Sequence, residues 1–295
     1  MTYYTRGRHI VDPVDGWRRS SGVCRESISV TTDTSIEGIS VITINRPRRK
    51  NAVDTITAQA LYEAILKFED DPNQKVCILT GAGSTFCAGA DLHGVAQANY
   101  DKPAANIQPV NGRNLAPMGP SRMMVTKPVI CAVSGYAVAG GLELSLLADM
   151  RVVEEDAVFG VFCRRWGVPL IDGGTVRLQA IVGLGRALDM ILTGRAVGAE
   201  EALRMGLASR VVPKGESLKA AIALAKELVG FPELCLNTDR RSCCYSAYDA
   251  SSFQDAMAQE FNAGEKVISK ESIAGAARFS KGQGRHGNFH DHSKL

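Results

Sequence analysis

The spacing of apolar residues changes several times along the chain, and each change marks an element. Apolar and polar positions alternate through 26–31 and again through 38–45, as half-buried strands do. The second run stops at Arg46-Pro47, where proline removes a backbone donor. Between 56 and 68 the period lengthens. Ala60, Leu61, Ala64, Ile65 and Phe68 fall on one helical face, with Asp54 or Thr55 as N-cap and Asp70-Asp71-Pro72 as the stop. Short β-branched runs at 76–80, 129–133, 150–153 and 158–162 read as buried strands. A short, nearly all-apolar helix is predicted at 142–148, and others at 174–181, 187–192 and 199–205. The stretch 93–114 is polar and broken by Pro and Gly, so it is expected to form a mobile loop or short helices over a site.

This strand–strand–helix rhythm with short connections predicts an α/β core. Past Val211-Val212-Pro213 the character changes, and 216–229, 245–261 and 271–279 are helix-forming and strand-free. Such helices need something to pack on, either the core or a sister subunit. The chain therefore divides into an N-terminal extension (1–25), a core (26–213), a C-terminal helical region (214–280) and a flexible tail (281–295). It shows neither an internal repeat nor a low-complexity tract.

Two glycine-containing runs carry the chemistry. Phe86-Cys-Ala-Gly-Ala-Asp-Leu92 follows one predicted strand, and Ser134-Gly-Tyr-Ala-Val-Ala-Gly-Gly-Leu-Glu143 follows another. Both leave a strand through flexible backbone, so both can aim amide N–H groups at a common point, the arrangement of an oxyanion hole for a thioester or ester carbonyl. Ala88, Gly89 and Ala90 are small enough to let a substrate approach the backbone, and Asp91 reads as an N-cap. Gly140 lies at or just before a helix start, so its amide would gain from the helix dipole. Glu143 falls in the first turn of that helix. There the dipole favours the anion and apolar surroundings favour the acid, so the carboxyl is poised to exchange protons near neutral pH. A first-turn Glu that merely stabilises its helix is the competing reading. The glycines lack the G-x-G-x-x-G spacing of a dinucleotide fold.

With 295 residues and 45% hydrophobic content the chain can bury one large core, and it has no apolar run long enough to span a membrane. A net charge of +3 is too small to argue for a nucleic-acid partner. Eight cysteines without a zinc-type frame read as free thiols in a reducing compartment, and the Cys243-Cys244 pair has no second ligand pair, so no metal is expected. The chain ends in Ser293-Lys294-Leu295, the tripeptide read by peroxisomal import receptors, after a polar stretch able to present it. A peroxisomal matrix address is expected.

Taken together these residues resemble the crotonase (enoyl-CoA hydratase/isomerase) superfamily over roughly 26–279. The match begins at Asn45-Arg46-Pro47 with Asn51-Ala52 and runs through both glycine loops. It continues at Phe159-Gly160, Gly173-Gly174-Thr175, Leu192-Thr193-Gly194 and Gly206-Leu207. The resemblance implies a spiral of ββα units, a C-terminal helical trimerisation region, and homotrimers or hexamers. It implies oxyanion amides on Ala90 and Gly140, with Glu143 catalytic. Arg46, Lys50, Ala52, Ala88, Asp91, Leu92 and His93 would contact the substrate, Arg46 and Ala52 in the run near the coenzyme A phosphate. Coenzyme A enters as part of an acyl-CoA substrate, with no separate cofactor. Within the superfamily the chain most resembles filamentous-fungal members that supply polyunsaturated acids to toxin pathways.

The chain departs from hydratases at one place. Those enzymes carry a second Glu after the Phe-Gly of the next strand, and here the position falls on Cys163 or Arg164. Adding water across a C=C bond needs one group to deprotonate water and another to supply the α-proton, or one group doing both. Asp172 is the candidate replacement, in a position similar to the distal acid of dienoyl-CoA isomerases. Its competing role is a helix N-cap. Cys163 has no basic partner nearby in sequence to make it a nucleophile. The expectation is an enoyl-CoA hydratase/isomerase working through an oxyanion-stabilised enolate. A dienoyl-CoA isomerase without hydration, or a structural or RNA-binding relative, is the alternative.

Overall fold

A computed structural model describes residues 28–92 and 107–282. The predicted extension 1–25, His93 with most of the loop after it, and the terminal Ser293-Lys294-Leu295 lie outside the described residues.

The main sheet has six strands in the order β1-β2-β3-β4-β6-β9. β1 (Val30–Ile36) and β2 (Gly38–Ile44) pair antiparallel. β3 (Gln74–Gly81), β4 (Val129–Val133), β6 (Met150–Glu154) and β9 (Arg210–Val212) then add in parallel. A second sheet joins β5 (Tyr136–Val138), β7 (Val158–Gly160) and β8 (Ala196–Gly198). The chain passes repeatedly from the large sheet to the small one and then into a helix: β4, β5 and α2 (Gly140–Ser145), then β6, β7, α3 (Gly174–Val182) and α4 (Leu184–Thr193). α5 (Ala199–Arg204) bridges β8 back to β9.

The apolar runs that read as buried strands are buried on both faces, as parallel sheets require. Ile42, Ile44, Cys77, Leu79, Val129, Cys131 and Val133 point into the main core. Their alternates Ile39, Val41, Val76, Ile78, Ile130 and Ala132 point the other way, onto Ala221, Leu224 and Ala225 of α6 (Ser217–Val229). This first helix beyond position 213 closes the sheet's second face and belongs physically with the spiral. α7 (Glu233–Tyr248) is tied back through Arg240, whose guanidinium donates to Asp149 at 2.7 Å and to the Val125 carbonyl at 2.7 Å.

Several boundaries differ from expectation for local reasons. The single helix predicted at 245–261 is two, α7 and α8 (Phe253–Val267). The break is a polar knot. Ser252 caps α8 through the Asp255 amide, and the Asp255 carboxylate accepts from Ser251 and the Tyr245 hydroxyl. A π turn (Ile268–Ser272) then leads to α9 (Ile273–Ser280). The strand predicted at 158–162 stops at Gly160, where a Cβ would strike the Phe162 ring, and the chain folds into a 3-10 turn (Phe162–Trp166). β5, β8 and β9 are too short for periodicity to announce.

Asp54 caps α1 (Thr55–Asp70), accepting from the Thr57 amide at 2.8 Å, and its carboxylate also pairs with Arg46 at 2.8 Å. Asp54→Ala should lower stability by about 1 kcal/mol and Asp54→Asn by less, read from urea unfolding, because Asn retains the cap.

Candidate active site

The two glycine loops are stitched into one structure. The Phe86 amide donates to Ser134 O (2.7 Å), Cys87 to Tyr136 O (2.9 Å), and Val138 back to Cys87 O (3.1 Å). Beyond these bonds the loops touch through glycine. A Cβ on Gly89 (φ +98°) would lie 3.0 Å from the Gly140 nitrogen, and one on Gly141 would collide with the Cys87 carbonyl oxygen. Ala139, just before α2, is held at φ +54°, a conformation alanine rarely adopts and one that clusters at functional sites.

Two amides are left over. Val53 bonds the residues on either side of Ala90, taking its N–H bond to Gly89 O (2.8 Å) and receiving one from Asp91 (2.8 Å), so the Ala90 N–H faces away from it. Gly140 is the first residue of α2, where a helix has no internal acceptor. Neither amide has an acceptor among the described residues. With Gly89 and Gly140 in contact, the structure brings the expected oxyanion pair together.

Glu143, 2% exposed, lies in the first turn of α2. Its Oε1 accepts the amides of Asp172 (2.9 Å) and Gly174 (2.9 Å), so it caps α3 from outside. Burial first, and then the charge of Asp172, push its carboxyl up to about 7, while the two amides pull the other way. Both the catalytic and the helix-stabilising readings of this residue therefore have a physical basis, but the helix it caps is α3.

Asp172 is not the N-cap of α3. Gly173 holds that position without a side-chain cap bond. The Asp172 carboxyl turns inward, 3% exposed, and its Oδ1 accepts from the Met118 amide (2.9 Å) and the Ser121 hydroxyl. Burial raises its proton affinity and the Ser121 and Met118 bonds oppose that. Among the described residues no donor reaches Oε2 of Glu143 or Oδ2 of Asp172. Sealed side-chain polar atoms without a partner, among the described residues, are those of Thr57, Arg122 and Asn237, so both free oxygens meet accessible space.

The position left open between Cys163 and Arg164 goes to Cys163. It is 8% exposed, and burial followed by the charge of Glu143 raises its thiol. Arg164 turns outward to the Ile191 carbonyl (3.1 Å). Cys163 therefore sits beside Glu143 as a neutral group, unsuited to proton transfer.

The expected substrate contacts flank this centre. Arg46 spends its guanidinium on the Ala52 carbonyl, Asp54 and Asp91 (3.2 Å), locking the turn 47–51 to the first loop. The Ala88 amide donates to Lys50 O (3.0 Å), and the Lys50 ammonium lies 5.3 Å from the Tyr136 ring centroid. Leu92 is exposed at the end of the loop. Sequence reasoning missed Ser121, Met118 and Arg177. Ser121 and Met118 sit in a Gly-Pro turn that carries no chemical signature, and they are brought to Asp172 only by folding.

The description of the enoyl-CoA hydratase/isomerase family matches residues 34–283. The chain belongs to this family. It is 37% identical over 209 residues to the enoyl-CoA hydratase EchA19 of Mycobacterium tuberculosis, covering 68% of this chain and 75% of that one. It is 39% identical over 212 residues to carnitinyl-CoA dehydratase of Escherichia coli, covering 72% and 77%. The enoyl-CoA hydratase EchA1 of Mycobacterium marinum superposes with a TM-score of 0.78 at 32% identity, covering 86% of this chain and 96% of that structure. The fold is the mixed α/β crotonase fold with C-terminal helices, and the chain is a crotonase-family lyase or isomerase.

The raised Glu143 carboxyl has a consequence for stability. Its folded value lies above the ordinary 4.5, so the stability it contributes is full below pH 4.5 and is lost as pH rises to about 7. Glu143→Gln keeps an acceptor for both amides and removes the buried charge. At pH 8 the variant should be the more stable protein by about 3 kcal/mol, and at pH 4.5 or below the two should be alike, by urea unfolding.

Proposed function

We propose that this family member is an enoyl-CoA hydratase/isomerase for unsaturated fatty acyl-CoA thioesters, with Glu143 and Asp172 as its acid–base pair. One observation carries the reading: the main chain of Asp172 is bonded to Glu143, so the two buried carboxyls are built as a unit beside the free amides of Ala90 and Gly140. The thioester oxygen would accept from those amides, which favours the enolate as charge moves onto it. Glu143, pushed up to about 7 by burial and by the charge of Asp172, carries the proton, and Asp172 is the anion of the pair. In hydration Asp172 takes the proton of water as its oxygen bonds Cβ, and Glu143 gives its proton to Cα. The proton then returns from Asp172 to Glu143. In isomerisation the same pair takes a proton at Cγ and returns one at Cα. The relatives named as hydratase and dehydratase support the first use; the Asp172 position supports the second.

Glu143→Gln should lower kcat by ~10² or more, and Asp172→Asn should do the same. Assays with 2-enoyl-, 3-enoyl- and dienoyl-CoA in isotopically labelled water separate the reactions, because only hydration adds solvent oxygen. Wild-type turnover of all three by Asp172→Asn would sink the two-acid reading.

The family's substrates imply coenzyme A as part of the substrate rather than as a cofactor, and the basic residues Arg48, Arg49 and Lys50 lie in the turn that Arg46 locks to the first loop. A homotrimer or hexamer is supported by Phe253, Met257 and Phe261, spaced along one face of α8 and exposed at 80%, 44% and 67%. A peroxisomal matrix location rests on Ser293-Lys294-Leu295 as the carboxyl terminus, with the import receptor as the partner. The bacterial relatives lend no support to a toxin-precursor context, which rests on the sequence resemblance alone. An N-terminal fluorescent fusion should co-localise with a peroxisomal matrix marker, and removal of the last three residues should release it to the cytosol. Diffuse signal from the intact fusion would refute the address.

A further inference from the structure

We propose that Ser121 is a positioning residue for the proton-transfer pair: with the Met118 amide, its hydroxyl pins Oδ1 of Asp172, keeping the negative charge on Asp172 and the proton on Glu143. The inference rests on the two-acid reading above and adds a residue to it.

Ser121 is fully buried in a 3-10 turn, Pro120–Arg122, between α1 and β4. The preceding residues form a tight hairpin in which Ala116 and Gly119 exchange backbone bonds of 2.9 Å each. Gly119, at φ +76°, lies so close to α1 that a Cβ would sit 2.6 Å from the Ala58 carbonyl oxygen. The turn is gripped from the other side by Arg177 of α3, which donates to the carbonyls of Ser121 and Met123 (2.9 Å to the latter). The Met118 amide and the Ser121 hydroxyl are thus fixed donors aimed at one oxygen. Hydrogen bonds donated to a carboxylate favour its ionised form, so both donors oppose the burial that raises the proton affinity of Asp172. With Oδ1 anchored, the main chain of Asp172 is set where its N–H meets Glu143.

Other charged or titratable groups face the pair from every packed element. Arg122 lies on the same turn, Arg177 on α3 and Glu143 on α2, and all three interact with Asp172 or its neighbour. Cys163 faces Glu143 from the turn 162–166, and Tyr248 and Cys244 of α7 face Arg177. None of these is altered by Ser121→Ala, which deletes one hydroxyl.

The sign follows directly. Losing a donor to the carboxylate makes Asp172 easier to protonate, so the base is lost at a higher pH. The full-length protein would be assayed with 2-enoyl- and 3-enoyl-CoA from pH 5 to 9. Ser121→Ala should move the acid limb of kcat/KM upward by about one unit, lowering the rate about tenfold along that limb, with KM little changed. Ser121→Thr should restore the profile. Ser121→Cys, a weaker donor of similar shape, should shift it in the same direction as Ala and keeps the test open if Ala disturbs the turn. Combining Ser121→Ala with Asp172→Asn should cost nothing beyond Asp172→Asn alone. An unmoved acid limb in both Ala and Cys variants, with Asp172→Asn inactive, would overturn the role of Ser121. Wild-type activity in Asp172→Asn would instead overturn the two-acid reading itself, and this inference with it.

Discussion

A single carboxylate oxygen, Oε1 of Glu143, takes the amides of Asp172 and Gly174 in a nearly dry setting, and the surrounding structure is arranged to allow it. The bonds join the first turns of two helices, so that α2 points its own free amide at the substrate side while α3 spends its amides on the acid. Gly174 must be glycine for this, since a Cβ there would lie 2.8 Å from the Glu143 side chain. Gly141 must be glycine for α2 to rest on the Cys87 carbonyl. Burial and two amide donors act on the same carboxyl in opposite directions, and the balance leaves it near 7, where a proton can be both given and taken.

Around this joint the backbone is more constrained than the side chains. Three N–H to O bonds lace the two loops together, and Ala139 keeps a positive φ at the point where α2 begins. Among the described residues the amides of Ala90 and Gly140 have no acceptor, although an unpaired amide in a partly buried place costs free energy. That cost is relieved when an oxygen binds between them, and most of all when the oxygen carries charge. Preorganised donors of this kind need no rearrangement during the reaction.

The second buried carboxyl, Asp172, lies at a different place in the chain from the second Glu expected of family hydratases. Family hydratases are expected to carry a Glu where this chain has Cys163, a buried thiol beside Glu143 that remains neutral. Asp172 approaches from α3 instead, anchored by the Met118–Ser121 turn. On the proposed two-acid reading, the proton acceptor sits on another element while the oxyanion pair and Glu143 stay where they are.

Much was legible in the sequence because it depends on neighbours along the chain. Helix α1 with its Asp54 cap, the buried runs of β3, β4 and β6, and the two glycine loops followed from period, β-branching and backbone freedom. Folding decided what depends on residues far apart. The three-residue strands β5, β8 and β9 exist only because the other sheet strands are there to pair with them. The apolar face of helix α6 gives no hint in the sequence of which partner it takes, and folding supplies the second face of the sheet. Asp172 could be a cap or an acid on sequence alone; in the structure Gly173 takes the cap, and a turn 51 residues earlier in the chain places a hydroxyl against the Asp172 carboxyl. A serine in a Gly-Pro turn has no chemistry of its own; it acquires one when burial brings a carboxylate within hydrogen-bond reach.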